Sequence, residues 1–138
     1  MSSTQAKKRR KPKIVVSEAE YDRLVGLATA ALDRIPEVAE ELLAEMDRAS
    51  VVAEKSVPRN AVRMGSTVEY QTADGEKRRV TLVYPGDANI ADGKISIMTP
   101  IGTALIGLSP GQSINWIARD GRQHELTVVA VEQPATTS

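Results

Sequence analysis

The chain has 138 residues, with 18 basic and 18 acidic side chains, one histidine and no cysteine. That length suits one domain or two small ones, and the missing thiol excludes disulfides and thiolate chemistry. No apolar run approaches the roughly 20 residues of a membrane helix, and the N-terminus lacks the apolar core of a secretory signal, so a soluble cytoplasmic protein with no membrane contact is expected. With one tryptophan, three tyrosines and no phenylalanine, the chain is poor in the aromatic walls of a deep small-molecule pocket.

The charge balance hides three unlike segments. Residues 1–13 carry Lys7, Lys8, Arg9, Arg10, Lys11 and Lys13 and no acid. This patternless basic stretch reads as a disordered tail, either a contact for a polyanion (RNA, DNA or an acidic protein face) or a solvated aid to solubility. Residues 17–55 hold ten acids against four bases, and residues 56–138 hold eight of each.

Ser17 followed by Glu20 is a capping-box signature. After it Tyr21, Leu24, Val25, Ala28, Ala31, Leu32 and Ile35 recur at helical spacing. Pro36 interrupts the stripe, and Val38, Leu42, Met46 and Ala49 resume it. Proline suits a first helical turn, and Glu37, Glu40 and Glu41 suit the positive end of the helix dipole. Two helices of about 17 residues joined this tightly are expected to form an antiparallel hairpin, acidic outside. Residues 56–66, SVPRNAVRMGS, read as a linker.

Then the hydrophobic period becomes two. STVEYQT and EKRRVTLVY form a hairpin around Ala-Asp-Gly. PGDANIADG is a polar loop and KISIMT a strand. PIGTALIGL holds a turn or two of helix, and QSINWIA and HELTVVAVE are the last strands, joined through a second Asp-Gly turn. Five short strands with one helical insertion predict a small antiparallel α+β domain.

The uncharged stretch Met98 to Trp116 has glycines at phosphate-loop spacing, but Leu108 and Ser109 stand where such a loop needs Lys and Ser/Thr. It is also too short to span a membrane. The remaining reading is a buried helical plug, with Leu105, Ile106 and Leu108 inside and Pro100-Ile101-Gly102 presented outside. His124 has no second histidine, cysteine or nearby nucleophile, so it reads as structural or surface. Lys77, Arg78 and Arg79 read as a solvated strand edge and Trp116 as core.

The runs VPRNAVRMGSTVEY and TLVYPGDANIADGKISIMTPIGTALIGLSPGQSINW resemble the regulator of nucleoside diphosphate kinase (Rnk) family, related to the Gre transcript-cleavage factors, over about residues 14–132. The resemblance implies a short N-terminal coiled-coil hairpin before a C-terminal domain with an FKBP-like fold. The implied divisions are a tail at 1–13, the hairpin at 14–56, the sheet domain at 57–133 and a frayed end at 134–138. It also implies binding to RNA polymerase beside the secondary channel, in competition with Gre-type factors; a monomer is expected, although the helical seam offers a surface that could pair. The Gre-like loop Ser-Pro-Ile-x-x-x-Leu-Ile-Gly falls on Thr99, Pro100, Ile101, Leu105, Ile106 and Gly107. Thr99, Pro100, Ile101 and Gly102 are thereby the expected polymerase contacts.

Gre factors carry two carboxylates at the hairpin tip that help to hold a magnesium ion in the polymerase active site. Here the tip offers Asp33, Arg34 and Glu37, with Arg34 and Pro36 between the acids, so that pattern is not reproduced. Glu37 suits a helix N-terminus, and Asp33 either favours function or caps the second helix. No catalytic residue, metal or cofactor is implied, and no transcript cleavage of its own. Two other readings are a nucleic-acid binder using the basic tail and, on fold analogy alone, a prolyl isomerase.

Overall fold

The computed structural model describes residues 13–117 and 121–133. Its first strand, β1 (Val15–Ser17), leads directly into α1 (Glu18–Ala31), and the chain returns along α2 (Pro36–Arg48) to β2 (Ser50–Val52). The helices have 14 and 13 residues, shorter than the periodicity implied. The inward stripe is Leu24, Ala28 and Ala31 against Ala39, Leu42 and Met46, all buried, with Val38 only half-buried. Pro36 opens α2 as expected, because the amide it lacks would have had no intrahelical acceptor.

β1 and β2 pair in parallel, with Val15 opposite Ser50 and Ser17 opposite Val52, and so clasp the root of the hairpin. Three-residue strands leave no periodic trace, and the sequence reading missed both.

The main sheet contains β3 (Thr67–Thr72), β4 (Lys77–Val83), β5 (Lys94–Ser96), β6 (Ser113–Ile117) and β7 (Gln123–Glu132), in the order β5-β4-β3-β7-β6. The expectation of an antiparallel sheet needs correction, because β4 and β5 are parallel. Parallel neighbours need a crossover rather than a tight turn. Residues 84–93 supply it, through short 3-10 turns at Pro85–Asp87 and Ile90–Asp92 and a left-handed Gly93 (φ 74°). Elsewhere the pairing is antiparallel, with a bulge where β3 meets β7 at Glu69/Tyr70.

A short helix, α3 (Pro100–Leu105), covers the inner face of the sheet. Leu105, Ile106 and Leu108 are fully buried beside Leu82, Ile97 and Leu126, as expected of the plug. Each such side chain contributes about 1.5–3 kcal/mol by leaving water. Leu24, Leu42 and Met46 of the hairpin belong to the same connected core as Ile14, Leu82, Leu105 and Val128, so hairpin and sheet are welded at their junction.

Residues 56–66 are not a loose linker. Ala61 and Val62 are buried, Val62 donates its N–H to the Leu108 carbonyl at 2.8 Å, and its own carbonyl accepts from Gly107 at 2.9 Å.

Candidate docking surface and hairpin tip

The start of α3 is tied down on both sides. Thr99 is its N-cap, in extended conformation, and its hydroxyl accepts from Gly102 N–H at 3.1 Å while donating to the Ser96 carbonyl at 2.7 Å. Thr103 donates to the Ile97 carbonyl at 3.0 Å, and Met98 N–H donates to Ser96 Oγ at 2.9 Å. These bonds hold Thr99, Pro100 and Ile101 as a rigid, half-buried rim.

Gly102 departs from the expectation that it is presented outside. It is buried, and a Cβ there would collide with the Ser96 carbonyl oxygen and lie 3.0 Å from Ile97 Cα. Its role is to let α3 approach the end of β5, and of the four expected contact residues Thr99, Pro100 and Ile101 are the ones left partly exposed.

At the other end of the molecule, residues 32–35 connect α1 to α2. The Arg34 and Ile35 amides both donate to the Ala31 carbonyl, at 3.0 and 2.9 Å. Asp33, Arg34 and Glu37 are all exposed. The N-cap of α2 is Ile35, without a side-chain bond, so Asp33 does not cap the second helix. Among the described residues no group of three or more His, Asp or Glu side chains is placed to hold a metal ion.

Of the basic tail, Lys7, Lys8, Arg9, Arg10 and Lys11 lie outside the described residues. Lys13 is exposed and its carbonyl accepts from Gln112 Nε2 at 3.3 Å, which places the exit of the tail beside the start of β6. Arg78 and Arg79 are ion-paired on the exposed surface, with Glu76 and Glu132 respectively. Trp116 is half-buried rather than core, its ring against exposed His124 at 5.2 Å between centroids. An open groove of about 420 Å³ beside it is lined by Thr72, Asp74, Asn115, Gln123, His124 and Glu125.

The sequence reading missed an ionic cluster at the root of the hairpin. Ser17 Oγ accepts from Glu20 N–H at 3.1 Å, which is the first half of the expected capping box. The Glu20 carboxylate turns instead to Arg63, 3.6 Å away, and its Oε1 has no partner among the described residues. Burial raises the Glu20 pKa, opposed by the Arg63 charge. Arg63 also binds Glu54, whose pKa that hydrogen bond lowers. Arg23 stacks over the Tyr84 ring at 4.4 Å and burial raises that phenol's pKa, so α1 is tied to the end of β4 as well. The Ser17 cap was legible; the cation that Glu20 reaches sits in a distant segment and was not.

A family model described as "Transcription elongation factor, GreA/GreB, C-term" matches residues 57–133, and one described as "Rnk N-terminus" matches residues 12–52. The Regulator of nucleoside diphosphate kinase of Escherichia coli (strain K12) is 35% identical over 124 residues, 88% of this chain and 90% of that protein. The chain belongs to the regulator of nucleoside diphosphate kinase family. Transcription elongation factor GreA of Nitratidesulfovibrio vulgaris is 37% identical over 89 residues, 63% of this chain but only 56% of the longer factor. Among solved structures, the "Prokaryotic transcription elongation factor GreA/GreB from Nitrosomonas europaea" is similar at TM-score 0.70 and 36% identity, covering 88% of this chain and 99% of that one. The relatives are regulators and elongation factors, and none of the described helices is long and apolar enough to cross a membrane.

Proposed function

We propose that this protein regulates transcription by binding RNA polymerase at the rim of the secondary channel, and that it displaces Gre-type factors without stimulating transcript cleavage itself. The observation that carries this reading is the pairing of a GreA/GreB-type C-terminal domain with a hairpin whose helices have only 14 and 13 residues. The sheet domain at 57–133 docks through Thr99, Pro100 and Ile101, where a small apolar rim lies on a rigid, capped helix start. The hairpin, at 14–56, enters the pore behind it. Its FKBP-like and coiled-coil character belong to the same reading.

The tip supports occupancy over catalysis. Magnesium favours paired hard oxygen ligands, whereas Asp33 and Glu37 are separated by Arg34 and Pro36 and belong to no group of three or more such ligands among the described residues. A prolyl-isomerase reading fares worse. The three aromatic side chains of the sheet domain have different neighbours: Tyr70 in the core, Tyr84 under Arg23 and Trp116 against His124.

The basic tail adds a sequence-blind contact with the acidic surroundings of the polymerase or with its nucleic acid, because a cluster of cations releases counterions from any polyanion. The deciding experiment adds the protein to core polymerase with and without a Gre factor. Formation of a complex that excludes the factor supports the reading; a folded protein that binds no polymerase at micromolar concentration refutes it.

A further inference from the structure

The two helices of the hairpin carry their charge differently. On α1 the exposed acids are Glu18 and Asp22, both in the half nearest the root, and Arg23 is exposed beside them. On α2 Glu37, Glu40, Glu41 and Asp47 are exposed, and with exposed Ala44 they follow the three- and four-residue steps of one helical face from end to end. The one base of that helix, Arg48, is bound at 2.6 Å to Glu45, which is itself buried. The outer face of α2 is therefore acidic along its whole length of about 20 Å.

The chain enters the described structure at the root end of this face. The Ile14 carbonyl accepts from Ser50 N–H at 2.9 Å, two residues after α2 ends. Exposed Lys13 thus stands next to the C-terminal end of α2, where the helix carbonyls favour a cation. β1 runs parallel to β2, so the chain followed backward from Val15 passes Ser50 and heads for the last turn of α2. Lys7, Lys8, Arg9, Arg10 and Lys11 come before that point. From Lys7 to Lys13 an extended chain reaches about 20 Å, which is the length of the acidic face.

We propose that the basic N-terminal segment of this same chain, residues 7–13, lies along the acidic outer face of α2, and that this seat withholds its cations from nucleic acid. Sign, length and point of entry agree on this one occupant, and α1 offers no comparable face. Because the segment is tethered, it meets α2 at an effective concentration in the millimolar range, so weak pairs suffice. Each exposed pair contributes little and is screened by salt, which makes the contact easy to take apart. A nucleic acid competes for the same cations through its phosphates and opens it. The seat is a property of the free chain and stands or falls independently of any binding to polymerase.

The chain has no cysteine, so Ala6→Cys gives a single attachment point for a nitroxide label. In ~50 mM salt the label should reduce the amide NMR signals of Glu37 to Asp47 to about half of their intensity with the label reduced, and ~0.5 M salt, with a screening length of about 4 Å, should restore them. Glu40→Gln, Glu41→Gln and Asp47→Asn together should abolish the broadening, while Glu18→Gln with Asp22→Asn should leave it. These side chains are exposed, and circular dichroism verifies that both variants fold. An excess of a single-stranded oligothymidylate should restore the α2 signals as salt does. An α2 without broadening at low salt overturns the proposal, and so does broadening that survives the triple substitution. Broadening centred on Ser113–Ile117 would assign the segment to the edge of the sheet and equally overturn it. Broadening of α2 that persists under excess oligonucleotide would refute the competition.

Discussion

Replacing Gly107 by alanine tests how the N-terminal strand is fastened to the sheet domain. Gly107 has φ +81°, donates to the Val62 carbonyl at 2.9 Å and accepts from Val15 N–H at 3.3 Å, so one residue ties β1, the 56–66 segment and the end of α3 together. A Cβ there would lie 2.6 Å from Ile14 Cβ and 3.3 Å from Val15 N. A left-handed conformation costs a residue with a Cβ about 1–2 kcal/mol, and forced overpacking of a core typically adds about 1–3 kcal/mol. Together Gly107→Ala should cost about 2–5 kcal/mol, a large part of the roughly 5–15 kcal/mol that holds a domain folded. A melting temperature lower by about 10 °C follows for a chain of this size. Urea unfolding followed by circular dichroism reads the cost directly. Ile14→Gly alone opens a cavity costing at least about 2–5 kcal/mol, but it also removes the Cβ and Cγ1 that obstruct a side chain at 107. The double variant should therefore fall short of additivity by about 1 kcal/mol or more. A Gly107→Ala protein within about 0.5 kcal/mol of the parent, or strictly additive effects, would refute the close-contact argument.

Three further changes probe the root of the hairpin. Ser17→Ala removes the N-cap of α1 and should cost about 1 kcal/mol in urea unfolding. Arg63→Met leaves the largely buried Glu20 without its cation and should cost about 1–3 kcal/mol at neutral pH, with the loss shrinking as acid neutralises Glu20 and Glu54. Glu20→Gln should act with the opposite sign. The folded state raises the Glu20 pKa, so its charged form is disfavoured on folding, and the protein gains stability as pH falls through the folded value toward the ordinary 4.5. The glutamine variant should accordingly be the more stable one at pH 7, with the margin closing below pH 4.5. A margin independent of pH would show that Glu20 carries no burial penalty.

What the sequence made legible was whatever local chemistry decides. The stripe from Leu24 to Ala31, the proline at the start of α2 and the Asp-Gly turn of the β3–β4 hairpin each carry their own signal, and each marks its element. Thr99 followed by proline marks a helix start in the same way, and the apolar run behind it fills the core. Features that depend on separate segments meeting were hidden. The parallel β4–β5 pair follows from a ten-residue connection too long for a tight turn, but alternation alone says nothing of strand direction. Gly102 reads as part of the outer rim until Ser96 is seen against it. Arg63 stands in a stretch resembling a linker, and only the fold brings it between Glu20 and Glu54. The helix start at α3 and the exposed tip were readable, whereas the burial of Gly102 and the ionic cluster at the root of the hairpin were not.

The account rests on occupancy of the polymerase pore without chemistry, and a single-turnover assay on backtracked elongation complexes tests it most directly. The protein, titrated against a fixed amount of a Gre factor, should suppress transcript cleavage in a concentration-dependent way while producing no cleavage when added alone. Cleavage by the protein alone, or undiminished Gre activity at saturating protein, would contradict it.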